Sequence, residues 1–189
     1  MKGKLFVISG PSGAGKSTIT KLIVKREKTL FLSVSSTTRT PRSGEVNGVD
    51  YYFMSKDEFQ KRIEKDEFVE YALVHGNYYG TLKSEIENKL NEGKNIILEI
   101  DVQGGEQVKK KFSDAVLVFC KAPSNEELEK RLRGRNTDSE DVIMLRLKNS
   151  LEEMKYESKY EKVIINREIE DSIIQLKKII EEEVAKWDQ

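Results

Sequence analysis

Residues 5–18 read LFVISGPSGAGKST, and no other stretch constrains the fold as strongly. LFVIS is a short apolar run bounded by Gly3 and Gly10, the pattern of a buried strand. The residues after it fit G-x-x-x-x-G-K-[ST], with Gly10, Gly15, Lys16 and Ser17 in the defining places. The glycines let the backbone curl until successive N–H groups point inward at phosphate oxygens, and the helix read from TITKLIVKR adds its positive end. Lys16 is placed to reach the transferring phosphates, and Ser17 to set a hydroxyl on Mg²⁺. Strand, loop and helix in that order predict a nucleotide site.

Further apolar runs at LFLSV (30–34), NIILEID (95–101), AVLVFC (115–120) and KVIIN (162–166) alternate with stretches of helical spacing. That alternation predicts an α/β chain with a parallel sheet covered by helices. The last helix puts Ile169, Ile173, Leu176, Ile180 and Val184 on one face. Glu99 and Asp101, two residues apart at the end of NIILEID, are expected on the same side of a strand, near a metal beside the loop.

Two segments interrupt the alternation. Residues 35–83 open with SSTTRTPRSGE and contain YYF, a helix begun by a Ser55/Glu58 capping box, FVEYALV and GNYYG, which reads as an inserted small sheet with one helix. Residues 124–150 open with a second capping box, Ser124 to Glu127, and carry Arg131, Arg133, Arg135 and Arg146 on a charged, exposed helical hairpin.

Charge narrows the partners. Lys plus Arg and Asp plus Glu are each 33, so the net charge is zero, unlike a chain that lives on nucleic-acid backbones. No run approaches the ~18 apolar residues of a membrane span. The single cysteine, Cys120, ends an apolar run and is expected to be buried and inert. These features predict a soluble cytoplasmic chain whose anionic partners are small. No Asn-Lys-x-Asp segment is present to suggest a switch GTPase, and the chain is short for a motor. A phosphate loop, a second set of anion ligands around Arg39 and Arg42, and an Arg-rich hairpin together suggest a kinase whose acceptor is itself charged.

GPSGAGKST, SVSSTTRTPRSGEVNGVDYYF, EFVEYALVHGNYYGT, LEIDVQG, RLRGR and VIIN together resemble the guanylate kinase family over essentially the whole chain. The resemblance implies a three-layer phosphate-loop core at 1–34, 84–123 and 151–189, a small α+β GMP-binding insertion at 35–83 and a helical lid at 124–150. It also implies Mg²⁺-dependent transfer of the ATP γ-phosphoryl group to GMP, with dGMP as a further acceptor. Gly10, Pro11, Ser12, Gly13, Ala14, Gly15, Lys16, Ser17 and Thr18 would hold the ATP phosphates, with Asn166 near the ATP base. Arg39, Arg42, Tyr51 and Tyr79 would hold the GMP phosphate, with Glu45 either supporting the arginines or touching the phosphate through a proton or water, while Ser35, Glu70, Thr81 and Asp101 surround guanine. Lys16, Arg39, Arg131, Arg135 and Arg146 would neutralise the transferring charge. The metal would sit on Ser17 directly and on Glu99 and Asp101 through water. A monomer or small homo-oligomer, binding neither nucleic acid nor membrane, is expected.

The residue chemistry agrees. Guanine presents N1–H and N2–H₂ on one edge, and an ionised Glu70 accepts both, whereas adenine would set a lone pair against the carboxylate. The acceptor is a phosphate already mostly ionised at neutral pH, so no catalytic base is required and His75 is expected to be a bystander. Insertion and lid are expected to close over the substrates. The alternatives are a binding module that has lost catalysis, which the intact Lys16, Ser17, Arg39, Arg42 and Glu70 argue against, and a kinase of the same fold for another phosphorylated acceptor, which Glu70 with Ser35 argues against.

Overall fold

The computed structural model describes residues 2–74, 76–134 and 139–187, the side chain of Trp187 excepted; His75 and Arg135 lie outside the described residues. The chain runs β1 (Leu5–Ser9), α1 (Lys16–Arg26), β2 (Leu30–Leu32), β3 (Ser36–Thr37), β4 (Tyr52–Phe53), α2 (Lys56–Glu64), β5 (Phe68–Val74) and β6 (Asn77–Leu82). It continues through α3 (Lys83–Asn91), β7 (Asn95–Glu99), α4 (Val102–Lys111), β8 (Val116–Lys121), α5 (Asn125–Arg133), α6 (Glu140–Met154), β9 (Lys162–Ile165) and α7 (Ile169–Trp187).

All five residues of LFVIS are buried because β1 is the middle strand of a parallel sheet, ordered β2-β7-β1-β8-β9, that is covered on both faces. Side chains alternate across a strand, so Phe6 and Ile8 join Ile19 and Ile23 of α1 and Ile173, Leu176 and Ile180 of α7. Leu5 and Val7 point the other way, to Ile86 and Leu90 of α3 and Val102 and Val108 of α4. This is the expected three-layer α/β architecture, and the strand order reverses at β1, where open sheets of this kind bind ligands at their carboxyl ends. Cys120 is buried, and burial pushes its thiol pKa up to about 11, so it stays neutral.

The insertion forms a second sheet, ordered β4-β3-β6-β5, with α2 packed on it. Ser55 caps α2 by accepting the Glu58 N–H, and Ser124 caps α5 by accepting the Glu127 N–H. Phe59 of α2 stacks on Phe68 and on Tyr78, with ring centroids 4.2 and 5.2 Å away. The α5–α6 hairpin is less bare than its charge suggested, since Ala122, Leu128 and Leu132 form a small buried cluster with Leu147 beside them. Helix α6 runs unbroken past residue 150 to Met154.

Three expectations are corrected. β2 stops at Leu32 rather than continuing to Val34. Ile169 opens α7 and is 40% exposed, so the apolar face of that helix begins at Ile173. Asp101 is not on a strand: β7 ends at Glu99, and Asp101 caps α4 by accepting the Gly104 N–H at 2.8 Å. Local capping outcompetes sheet pairing there, so Glu99 and Asp101 do not form a strand-end pair.

Leu176→Ala, which empties a fully buried site between α7 and the sheet, is expected to lower the unfolding free energy by about 2–5 kcal/mol in urea titrations. Ile174→Ala, at a neighbouring position that is 65% exposed, should stay within about 0.5 kcal/mol of the parent.

Candidate active site

Two close approaches shape the loop between β1 and α1. At Gly10, φ is 141° and a Cβ would fall 2.0 Å from the Cys120 carbonyl oxygen of β8, so no side chain fits. Gly15, at φ 90°, caps α1 in the left-handed region, where a Cβ would meet Asn166 Nδ2 at 2.3 Å. No side chain caps α1 and no acid sits in its first turn, which leaves the positive helix end to a ligand. Asn166, from the end of β9, is 2% exposed; its Nδ2 donates to the Ala14 carbonyl at 2.8 Å and its Oδ1 accepts the Ser172 hydroxyl at 2.9 Å. Its side chain therefore braces the loop from behind.

Lys16 Nζ donates to the carbonyls of Gly10 at 2.6 Å and Pro11 at 2.9 Å, folding across its own loop. Burial lowers its pKa, with Glu99 the leading charge that holds the proton on. Glu99 accepts the Ser17 hydroxyl at 2.5 Å and the Thr20 hydroxyl at 2.8 Å. Sequence reasoning missed Thr20, although its place three residues after Ser17 puts both hydroxyls on one helix face. It also missed Glu153 of α6, whose Oε2 accepts the Ser12 N–H at 3.2 Å and whose pKa burial raises. Nothing in the acid-rich run LEEMKYESKYE distinguishes that glutamate from its neighbours.

In the small sheet, Glu70 is 4% exposed and accepts the Thr81 hydroxyl at 2.8 Å across the β5–β6 pair. Burial pushes its pKa up to about 7, with the Thr81 hydrogen bond opposing and the Asp101 charge reinforcing the rise. Adjacent residues of β6 diverge, so Tyr78 packs on Phe59 while Tyr79 faces Tyr51 edge-on at 6.1 Å. Arg39 pairs with Glu45 in a bidentate fork of 2.8 and 3.0 Å and lies 5.4 Å over the Tyr51 ring. Glu45 also accepts the Arg42 N–H at 2.7 Å, so it organises the arginine loop. Its hydrogen bond to Arg39 holds the carboxyl below the usual range.

These groups converge on a cavity of about 310 Å³ whose lining includes Gly10, Ser12, Lys16, Ser35, Tyr51, Glu70, Tyr79, Glu99, Asp101 and Glu153. A second cavity, of about 210 Å³, is lined by Ser12, Gly13, Gly15, Lys16, Ser17 and Thr18. Ser12 and Lys16 border both. Other expected residues stand outside these linings. Thr81 acts behind Glu70, Arg42 is exposed, and Arg39 is engaged with Glu45. Arg131 pairs with Glu127 and donates to the Asn166 carbonyl at 3.0 Å, while Arg146 lies on α6.

The sequence model described as "Guanylate kinase" matches residues 2–183. The chain is 62% identical to the guanylate kinase of Fusobacterium nucleatum over 179 residues, 95% of this chain and 96% of that relative. It is 47% identical to a guanylate kinase of Clostridium perfringens over 188 residues, 100% of this chain and 87% of the relative. The crystal structure of guanylate kinase from Anaplasma phagocytophilum superposes with a TM-score of 0.79 at 31% identity, covering 96% of this chain and 86% of that one.

The environment of Glu70 makes stability depend on pH. The folded chain keeps a proton that the unfolded chain has released above pH 4.5, so the contribution of Glu70 falls as pH rises from 4.5 to about 7. The ligand-free chain is expected to lose roughly 3 kcal/mol across that window relative to Glu70→Gln, read as the difference in urea-unfolding free energy between the two at each pH. Parallel curves for the two proteins would refute the assignment.

Proposed function

The chain belongs to the guanylate kinase family and transfers the γ-phosphoryl group of ATP to GMP, giving ADP and GDP, and we propose how its residues divide that reaction. Residues 10–18 hold the ATP phosphates, residues 35–83 hold GMP, and residues 124–150 form a lid that brings Arg131, Arg135 and Arg146 to the transferring group. The observation that carries this reading is the shared cavity in which Ser12 and Lys16 of the loop face Ser35, Tyr51, Glu70 and Tyr79 of the insertion.

Glu70 reads the base. Guanine N1–H and N2–H₂ supply donors to a buried carboxylate that in the free chain has the Thr81 hydroxyl on one oxygen. Ser35 and Asp101, on the same cavity, take the rest of the guanine edge. Arg39, Arg42, Tyr51 and Tyr79 take the phosphate, which replaces Glu45 as the partner of Arg39. The acceptor oxygen is ionised before it reacts, so catalysis consists of alignment and charge neutralisation.

Mg²⁺ fits the residues present. The Ser17 hydroxyl and the Glu99 carboxylate, 2.5 Å apart, are hard oxygen donors at the mouth of the loop, and the described residues contain no group of three or more His, Cys, Asp or Glu able to cage a metal. A site with few protein ligands suits an ion that takes its remaining oxygens from phosphate and water. When bound, the ion neutralises charge on the phosphate oxygens. Asp101, with one oxygen committed to Gly104 N–H, contributes through water. We read the chain as a cytoplasmic enzyme of purine nucleotide metabolism, monomeric or a small homo-oligomer; no helix among the described residues is long and apolar enough to cross a membrane.

A coupled assay of ADP formation from MgATP with GMP, AMP, CMP or UMP tests the reading, and turnover should be confined to GMP. Equal rates with AMP would sink the role of Glu70. Lys16→Met should abolish most turnover while leaving the circular dichroism spectrum and melting temperature near those of the parent. Arg39→Ala should raise the KM for GMP by about tenfold or more and leave that for ATP within about twofold, as loss of a charged phosphate contact requires.

A further inference from the structure

Glu153, a half-buried acid in the last turn of α6, faces a site built for anions. Its Oε2 accepts the Ser12 N–H at 3.2 Å, while Ser150, one turn earlier on the same helix, donates its hydroxyl to the Ser12 carbonyl at 3.3 Å. Helix α6 thus holds both backbone groups of one loop residue. Ser12 borders both the phosphate cradle and the acceptor cavity, and Glu153 lines the second. The carboxylate therefore stands against a residue that the two cavities share. Lys16 feels the charge of Glu153 along with those of Glu99 and Asp101.

One N–H cannot serve two anions at full strength, and a carboxylate in contact with a polyphosphate repels it. We propose that Glu153 sets the affinity of the donor site by occupying the Ser12 amide in the ligand-free chain, as a stand-in for a phosphate oxygen that incoming polyphosphate must displace. This rests on the assignment of residues 10–18 to the donor phosphates. Glu153 acts through Ser12 and touches no reacting atom, so it is a positioning residue.

Calorimetric titration with pyrophosphate, in the absence of metal, separates this role from a structural one. Glu153→Gln keeps an oxygen acceptor for the Ser12 N–H and removes the charge, and it should bind pyrophosphate about three- to tenfold more tightly than the parent. Glu153→Asp, which keeps the charge, should lie closer to the parent than Glu153→Gln does. Guanosine, which carries no phosphate, should bind all three alike, and the KM for MgATP should fall in the Gln variant without a rise in kcat. A purely structural contact would make the Gln variant equal or weaker in pyrophosphate binding, and that outcome overturns the proposal. Failure of every protein, the parent included, to bind pyrophosphate would overturn the loop assignment with it. If Glu153→Gln does not fold, the carboxyl carbon resonance of Glu153 in the parent decides instead: it should shift as pyrophosphate saturates the loop, and an unmoved resonance overturns the proposal.

Discussion

Asn166 uses every polar group it has to tie separate parts of the molecule together. Its N–H donates to the Lys121 carbonyl of β8 at 2.7 Å, and its carbonyl accepts Arg131 of α5 at 3.0 Å. Its carboxamide joins the phosphate loop at Ala14 to the hydroxyl of Ser172 on α7. Buried polar groups without partners are costly, so a fully satisfied residue at this junction favours one arrangement of sheet, loop and helices over its neighbours. With the Cys120 carbonyl pressed against Gly10, it leaves the loop no path except the curl that points its backbone into the cradle. The curl of the loop is thus a consequence of packing behind it.

Positive charge is paired internally: Arg39 is held by Glu45, Arg131 by Glu127, and Arg133 by Glu129 and Glu140. Pairing of this kind lets a chain of zero net charge carry these cations without a standing electrostatic excess. On the proposed assignment of Arg39 and Arg131, binding is an exchange of partners. A phosphate gains an arginine while a carboxylate loses one, so the net gain per contact is smaller than the contact alone suggests.

The features legible in the sequence were local. The phosphate loop follows from glycine spacing, and the starts of α2 and α5 from Ser55 and Ser124, because each feature is decided within a few residues. The reciprocal half of those capping boxes does not form, since the Glu58 and Glu127 carboxylates turn to Arg62 and Arg131 one turn on. Asp101 escapes the sequence pattern for a related reason: the strand signal continues through NIILEID, and only the backbone direction at Ile100 decides that the aspartate caps a helix instead. Glu153 and Asn166 lie beyond local rules, because their roles depend on contacts spanning 141 and 152 residues. Tyr78 and Tyr79 lie between these cases. Alternation along a strand requires them to diverge, but which one faces the cavity is settled by Phe59 on the far side.

Glu70 and the Arg39–Arg42 loop, proposed as base reader and phosphate clamp, are built on different supports. Strand β5 is the edge of the small sheet, and Gln107 of α4 pairs with it as a neighbouring strand would, accepting the Tyr71 N–H at 3.2 Å and donating to its carbonyl at 3.0 Å. Lys111, one turn later, donates to the Phe68 carbonyl at 2.6 Å, and Gly104 lets the helix approach the Glu70 carboxylate so closely that a Cβ would sit 3.0 Å from its oxygen. Glu70 is therefore registered against α4, the helix that Asp101 caps, and these two of the groups expected around guanine share one reference. Arg39 and Arg42 are instead organised by Glu45 within their own loop, which extends into the exposed Val46 and Val49. The contacts that fix Glu70 and those that fix the arginine loop are thus separate sets. A change in the arginine loop leaves the supports of Glu70 in place, whereas a change along α4 moves Glu70 and Asp101 together.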